Sequence, residues 1–380
     1  MKILTAMYTI KKGGAYDRFI MMVEALLEKG CHVHCLSLTP ILIDHPLYRN
    51  HVVPLPMKIE SGFVTRTVVL VLFPFYLFLM GRRERVDLLV AFGPLYAFLG
   101  AFSKWVLRRP MVTLIRLEIS FSLHRQRLRA SHEFLTKVIE YVGLRSSDRI
   151  IAVNEAMRDD VLRLFGGRRE VDVRVLPNNI IPMPEGSPRD PAETRRRFAI
   201  PEQARLIATA GVLNRRKNFE ILIRSLAGME MKDVFLLIVG EDTTKEKGDY
   251  GNDLKKEVEK LDLQGRVIFT GWLEKGDLWR TLRASDLFVL PSTREGMPNV
   301  LLEALGCDTP CFGSNIPGIR EILSHDTLMF DPHDDGALAQ KIVHFFADDD
   351  YRKGIAHLCF EQREKFRFDW KERVFAAVTG

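Results

Sequence analysis

The chain has 380 residues, 47% of them apolar and 27% charged, with a net charge of +6. That length exceeds what one hydrophobic core organises, so two domains are expected, and the apolar and charged fractions exclude a disordered or fibrous chain. Five cysteines, an odd number without framework spacing, exclude a disulfide scaffold and suit a reducing compartment.

The opening MKILTAMYTI reads as a buried strand. It is too short, and too soon followed by Lys11 and Lys12, to be a secretory signal, so a cytoplasmic location is expected. Next, Gly13 and Gly14 precede the helix AYDRFIMMVEALLEKG. Glycines there let backbone N–H groups approach a ligand closely, and the following helix N-terminus favours an anion. The order is not G-x-G-x-x-G, which argues against a nicotinamide enzyme. CHVHC, Cys31 to Cys35, lies between a glycine-stopped helix and LSL and reads as a strand. Cys31, Val33 and Cys35 then share one face and the histidines the other, so these side chains do not converge as metal ligands and no metal site is expected.

Thirteen consecutive apolar residues run from Val68 to Met80, flanked by Arg66 and by Arg82, Arg83 and Arg85. A bilayer span needs about 20. Two readings fit the segment: a core helix, or a helix dipping into a membrane interface with arginines at the headgroups. The remaining first-half strands are VDLLVAF, MVTLIRL, DRIIAV and VDVRVL, alternating with amphipathic segments as parallel sheets with helical crossovers do. PNNIIPMPEGSPRDP, dense in Pro and Asn, marks a linker and a domain boundary.

Charge divides at this boundary. Residues 1–180 hold 26 Lys and Arg against 16 Asp and Glu, the remainder 29 against 33. The basic half suits an anionic partner, such as a membrane surface or a phosphorylated substrate, and an unpartnered basic surface is the plainer alternative. No nucleic-acid module is recognisable, so no nucleic-acid partner is expected.

The alternation restarts with ARLIATAG, VFLLIVG, RVIFTG, DLFVLP, TPCFG and TLMF. Two doubly wound domains, with a cleft at the carboxyl ends of their sheets, are therefore expected. After the first of these strands come Arg215, Arg216 and Lys217, three cations suited to a diphosphate. Pro291 ends DLFVL, and Pro298 with Asn299 opens the next helix. Glu295 then sits in the loop before that helix and Glu303 on it, about 6 Å along the axis from Asn299. Carboxylates accept from paired hydroxyls, and a nucleotide sugar offers a hexose and a ribose on either side of a diphosphate. A loop acid for the hexose, a helix acid for the ribose and a helix N-terminus for the diphosphate form one coherent reading. A glycosidase pair is the alternative, although it has no need of a basic phosphate loop.

EGMPNVLLE, with ALGCDTPCFGSNIPGIREIL after it, resembles the glutamate, seven residues, glutamate motif of the family 4 retaining glycosyltransferases. GVLNRRKN is similar to that family's phosphate loop, KKGGAYDRF to its Gly-Gly loop, VLPNNI to its linker, and FTGWLEKGDL to the segment meeting the nucleotide base. The resemblance implies a GT-B fold of two Rossmann-like domains facing a central cleft. The expected ranges are an acceptor domain at 1–178, a nucleotide-sugar domain at 179–365, and a C-terminal helix at 366–380 packing back on the first. It further implies a nucleoside diphosphate sugar donor, with a UDP-sugar favoured, and a glycan or lipid-linked acceptor; with no Asp-x-Asp motif at a strand end the cations stand in for a metal, and the basic first half with the Val68–Met80 segment and its arginines leads us to expect peripheral membrane contact through the first domain.

By the same resemblance Glu295 holds the donor sugar, Glu303 the ribose, and Lys217 with Arg215 or Arg216 the phosphates. Gly13 and Gly14 lie near the diphosphate, Trp272 near the base, and Gly296, Met297, Pro298, Asn299 and Val300 line the donor. Val212 stands where the family often has Arg. Glu118, with Arg116 two residues earlier on the same strand face, stands near the family's usual His. Glu118 either orients an acceptor hydroxyl or pairs with Arg116. A non-catalytic sugar-nucleotide binder and a non-hydrolysing epimerase share the fold. The first should lack one of Glu295, Glu303 and Lys217, and the paired-glutamate context is that of the transferases.

Overall fold

The computed structural model describes residues 1–7, 14–54, 63–116, 130–166, 171–182, 191–242 and 250–380. The chain falls into two units, Met1–Pro177 with Asp369–Gly380, and Asn178–Phe368.

The first unit runs β1 (Lys2–Met7), α1 (Gly14–Glu28), β2 (His32–Ser37), β3 (Tyr48–Val52), α2 (Phe63–Glu84), β4 (Leu88–Phe92), α3 (Pro94–Leu107), β5 (Met111–Ile115), α4 (Ala130–Ser146), β6 (Arg149–Ala152), α5 (Glu155–Phe165) and β7 (Asp172–Val175). Its seven strands are parallel, in the order β3-β2-β1-β4-β5-β6-β7. Every residue of β4 (LLVAF) and β5 (MVTLI) is buried, as parallel strands covered on both faces require. At the start of α5 a polar side chain takes an orphan N–H group: Asn154 Oδ1 accepts from the Met157 amide at 2.8 Å, and Gly166 closes the same helix at φ 54.

The second unit runs α6 (Pro191–Arg197), β8 (Arg205–Ala210), α7 (Phe219–Ala227), β9 (Val234–Val239), α8 (Tyr250–Lys260), β10 (Val267–Gly271), α9 (Lys275–Ala284), β11 (Leu287–Leu290), α10 (Asn299–Gly306), β12 (Cys311–Ser314), α11 (Pro317–Leu323), β13 (Met329–Phe330), α12 (Asp335–Ala347) and α13 (Asp349–Lys365). Its parallel sheet has the order β10-β9-β8-β11-β12-β13. Strand order reverses direction at β8 and β11, where a doubly wound sheet opens a crevice at its carboxyl edge. The last helix, α14 (Trp370–Thr379), belongs to the first unit. There Lys371 Nζ reaches Glu28 Oε1 at 2.5 Å and Glu24 Oε2 at 3.1 Å on α1, and Trp370 is buried.

The apolar segment at 68–80 lies within α2, with Pro74 inside the helix. Val69, Phe73 and Leu77, spaced four apart, are buried in a core with Leu4, Leu36 and Leu89. The opposite stripe is open: Val71, Phe75 and Leu79 are 65%, 54% and 38% exposed. The helix is thus core on one face only. Among the described residues no helix is long and apolar enough to cross a membrane.

Candidate active site

The carboxyl edge of the second unit is built around close backbone approaches. Gly211, directly after β8, donates its amide to Val239 O at 2.9 Å, and Gly240, directly after β9, donates to Gly271 O at 2.9 Å. Gly240 has φ 140, and a Cβ there would lie 1.9 Å from Gly211 O, so only glycine lets the two loops touch. A Cβ on Gly211 would in turn lie 2.8 Å from Lys217 Cε. The bare glycine surface is what the lysine stem lies on.

Lys217 ends a single 3-10 turn, Arg215–Lys217, ahead of α7. Its ammonium donates to Glu295 Oε1 at 2.6 Å, and the two side chains are 9% and 8% exposed. Glu295 Oε1 also accepts from Ser292 Oγ at 2.8 Å. Burial pushes the Glu295 carboxyl up, but the Lys217 and Arg216 charges and the hydrogen bonds from Lys217 and Ser292 outweigh it, leaving the group below the usual glutamate range. It is therefore a carboxylate at neutral pH. One of the three lysine N–H groups is committed to it.

The adjacent arginines separate. Arg216 is half-buried, its charge bears on Glu295, and its carbonyl accepts from the Thr293 amide at 2.8 Å, fastening the basic turn to the acid loop. Arg215 points elsewhere: it pairs with Asp253 Oδ2 at 2.6 Å and lies 5.7 Å over the Tyr250 ring. Of the two candidates, Arg216 is the one placed with Lys217.

The 295–300 loop is held from three sides. Asn178 Nδ2 donates to Met297 O at 2.9 Å and to Asn299 Oδ1 at 2.8 Å, and its amide meets Met297 Sδ at 3.1 Å. A Cβ on Gly318 would lie 2.3 Å from both Glu295 O and Gly296 O, so α11 starts directly against this backbone. Ser314 Oγ donates to Ser292 O. Glu295, Gly296, Met297 and Pro298 are buried, Asn299 and Val300 half-buried, and α10 begins at Asn299 with Glu303 half-buried in its second turn. Trp272, directly after β10, is half-buried. Asn178, Ser292 and Gly240 were not among the residues the sequence singled out. The only signal for Asn178 was its place in VLPNNI, and for Ser292 its place after the strand-ending Pro291.

In the first unit, Gly14 opens α1, whereas Gly13 and Glu118 lie outside the described residues. Arg116, just past β5, donates to Leu176 O at 3.3 Å and lies 5.6 Å over the Trp370 ring, with Arg18 at 5.2 Å over the same ring. Burial, joined by the Arg18 charge, pulls the Arg116 guanidinium well below the usual arginine range. Its Nη2 has no hydrogen-bond partner among the described residues. Such a group gains from a nearby anion.

Residues 13–179 match the glycosyl transferase 4-like domain, and residues 190–357 match glycosyl transferases group 1. The chain is 26% identical over 348 residues to the lipopolysaccharide core biosynthesis glycosyltransferase LpsE of Rhizobium meliloti, covering 91% of this chain and 89% of that one. Among solved structures, HepE of Anabaena in complex with UDP-glucose aligns at a TM-score of 0.79 and 19% identity, over 100% of this chain and 99% of that one. WaaG, a glycosyltransferase involved in lipopolysaccharide biosynthesis, aligns at 0.77 and 16% identity over 100% of both chains. With two parallel Rossmann-like sheets and both domain models matched in order, the chain belongs to the family 4 glycosyltransferases of the GT-B fold.

Proposed function

We propose that the protein transfers a sugar, with retention of anomeric configuration, from a nucleoside diphosphate sugar to a hydroxyl of a lipid-linked or polysaccharide acceptor in cell-surface glycan synthesis. The observation that carries this reading is the buried Lys217–Glu295 pair at 2.6 Å on the glycine-lined edge of the second unit. A lysine nitrogen beside an ionised carboxylate suits a ligand that presents a phosphate and sugar hydroxyls together. Glu295 takes hexose hydroxyls, Glu303 the ribose, Trp272 and its backbone the base, and Gly296 to Val300 the path between them. As the bond from the sugar anomeric carbon to the diphosphate breaks, negative charge collects on the leaving group. Lys217, Arg216 and the start of α10 neutralise it, so no metal is needed. Gly13 and Gly14 are assigned to the diphosphate, and Arg116 and Glu118 to the acceptor. UDP is the favoured nucleotide, since HepE was solved with UDP-glucose.

The first unit is proposed to rest on the inner face of the membrane. Exposed Val71 and Phe75 on α2, Phe102 and Trp105 on α3, and Phe134 and Leu135 on α4 offer apolar side chains on consecutive packed helices. Arg82, Arg83, Arg108, Arg109 and Arg145, all exposed, supply the charge, each worth about 1 kcal/mol near an anionic bilayer. LpsE and WaaG are named for lipopolysaccharide synthesis, which agrees with an acceptor built at a membrane.

A panel of nucleoside diphosphate sugars, screened by melting temperature, tests the donor assignment: one donor should raise it for the wild type and not for Glu295→Ala. Transfer from that donor should continue in a strong chelator. No shift with any donor, or a loss of transfer restored by magnesium or manganese, contradicts this reading.

A further inference from the structure

We propose that His34, His51 and Glu84 form a zinc site in the first unit that ties its edge strand β3 and the neighbouring β2 to the end of α2. The three side chains come from β2, β3 and the last residue of α2. In the parallel register Leu36 lies opposite His51 and His34 opposite Arg49, so both histidines lie on the sheet face that carries Leu36. That face packs against Val69, Phe73 and Leu77 of α2, and the helix ends over the histidines with Glu84.

One ligand atom from each residue lies within 4.8 Å of the other two. His34 Nδ1 is 3.1 Å from His51 Nε2, with the rings near-parallel at 16°. Tetrahedral zinc with bonds of about 2.05 Å holds its ligand atoms roughly 3.3 Å apart, so the histidine nitrogens already stand close to that spacing. A shared proton between two neutral imidazoles explains the 3.1 Å contact but gives Glu84 no part. Two imidazoles and a carboxylate are a recurrent zinc set, with the fourth position left to water.

Two cations stand beside Glu84. Lys2 Nζ is engaged by Glu84 O at 3.1 Å, and Arg83 Nε lies 3.4 Å from Glu84 Oε1. The Arg83 side chain is 74% exposed and can release the carboxylate to a metal by turning into solvent. The strand reading of CHVHC rightly separates its cysteines from its histidines. The site arises instead because His34 meets partners from two other elements.

The test uses the full chain without a polyhistidine tag, stripped of metal and titrated with Co²⁺ and Zn²⁺, read by visible absorption and calorimetry. One Co²⁺ per chain with the absorption of a low-coordinate site, displaced by Zn²⁺, is expected, together with a zinc-dependent rise in melting temperature. His51→Ala and Glu84→Gln should each weaken binding by about 100-fold and remove the rise, and His32→Ala, an exposed neighbour outside the triad, should change neither. Glu84→Gln is a near-isosteric change at a half-buried position, and its metal-free melting temperature should equal that of the wild type, which separates loss of a ligand from loss of the fold. Absence of saturable binding, or equal affinity in Glu84→Gln and the wild type, overturns the proposal. Sugar transfer is read on the same samples and should persist without zinc, so this outcome and that of the donor site are independent.

Discussion

Lys217→Ala removes one member of a buried ion pair and leaves the other in place. Glu295, 8% exposed, would keep only the Ser292 hydroxyl at 2.8 Å and the Arg216 charge as compensation. Breaking such a pair from one side costs about 3 to 5 kcal/mol, which in a unit of this size lowers the melting temperature by roughly 10 °C. Lys217→Met with Glu295→Gln removes both charges and should recover part of that loss, a coupling of roughly 1 to 3 kcal/mol in the cycle whose single variants are Lys217→Met and Glu295→Gln. Donor binding should not recover, because the ammonium proposed to meet the diphosphate is absent from both variants; a charge-assisted hydrogen bond is worth about 1.5 to 3 kcal/mol, or roughly 10- to 150-fold in UDP affinity. The pH dependence follows from the lowered Glu295 pKa. A carboxyl depressed on folding stabilises the fold above its unfolded value, and that contribution fades as pH falls through the folded value. Wild type should therefore lose stability relative to Glu295→Gln only below the ordinary glutamate range. Scanning calorimetry across pH, with and without UDP, reads all of this. A Lys217→Ala protein that melts with the wild type and binds UDP equally well would refute the reasoning.

Gly240→Ala should destabilise the second unit by about 1 to 3 kcal/mol and impair donor binding, since its Cβ would collide with Gly211 O at 1.9 Å; limited proteolysis and UDP titration check both effects. Asn178→Ala should leave the fold largely intact but raise the donor KM, because the Met297 carbonyl and the Asn299 side-chain oxygen lose hydrogen bonds at 2.9 and 2.8 Å; steady-state kinetics separates this from a change in kcat. Phe73→Ser should cost about 3 to 5 kcal/mol because the ring is fully buried, whereas Val71→Ser with Phe75→Ser should keep the melting temperature and weaken binding to anionic vesicles, with wild-type binding falling as salt rises. Equal losses of stability in the two cases would contradict the two-faced α2.

Strands with continuous apolar runs were legible because parallel strands buried on both faces carry their signal in composition alone: β4, β5, β9 and β11 match the segments read from the sequence. Tyr48–Val52 was not read as a strand. It is an edge strand, YRNHV, whose later residues are half-buried or exposed, so polar residues interrupt the pattern. The apolar run inside α2 was legible as a helix, but which stripe faces the core depends on the sheet beneath it. Glu295 and Lys217 were readable as residue types at spaced positions, yet their pairing joins residues 78 apart. The same distance in sequence hides the Asn178 clamp, which spans 119 and 121 residues. Arg215 and Arg216 are equivalent in sequence and are told apart by Asp253 and the Tyr250 ring, both supplied by α8.

A structure of the protein with the intact donor identified by the melting screen tests the central claim most directly. Expected are phosphate oxygens within hydrogen-bond distance of Lys217 Nζ, hexose hydroxyls on Glu295 and ribose hydroxyls on Glu303. A donor bound with its diphosphate away from Lys217, and with Glu295 still closed on the lysine at 2.6 Å, would contradict the account.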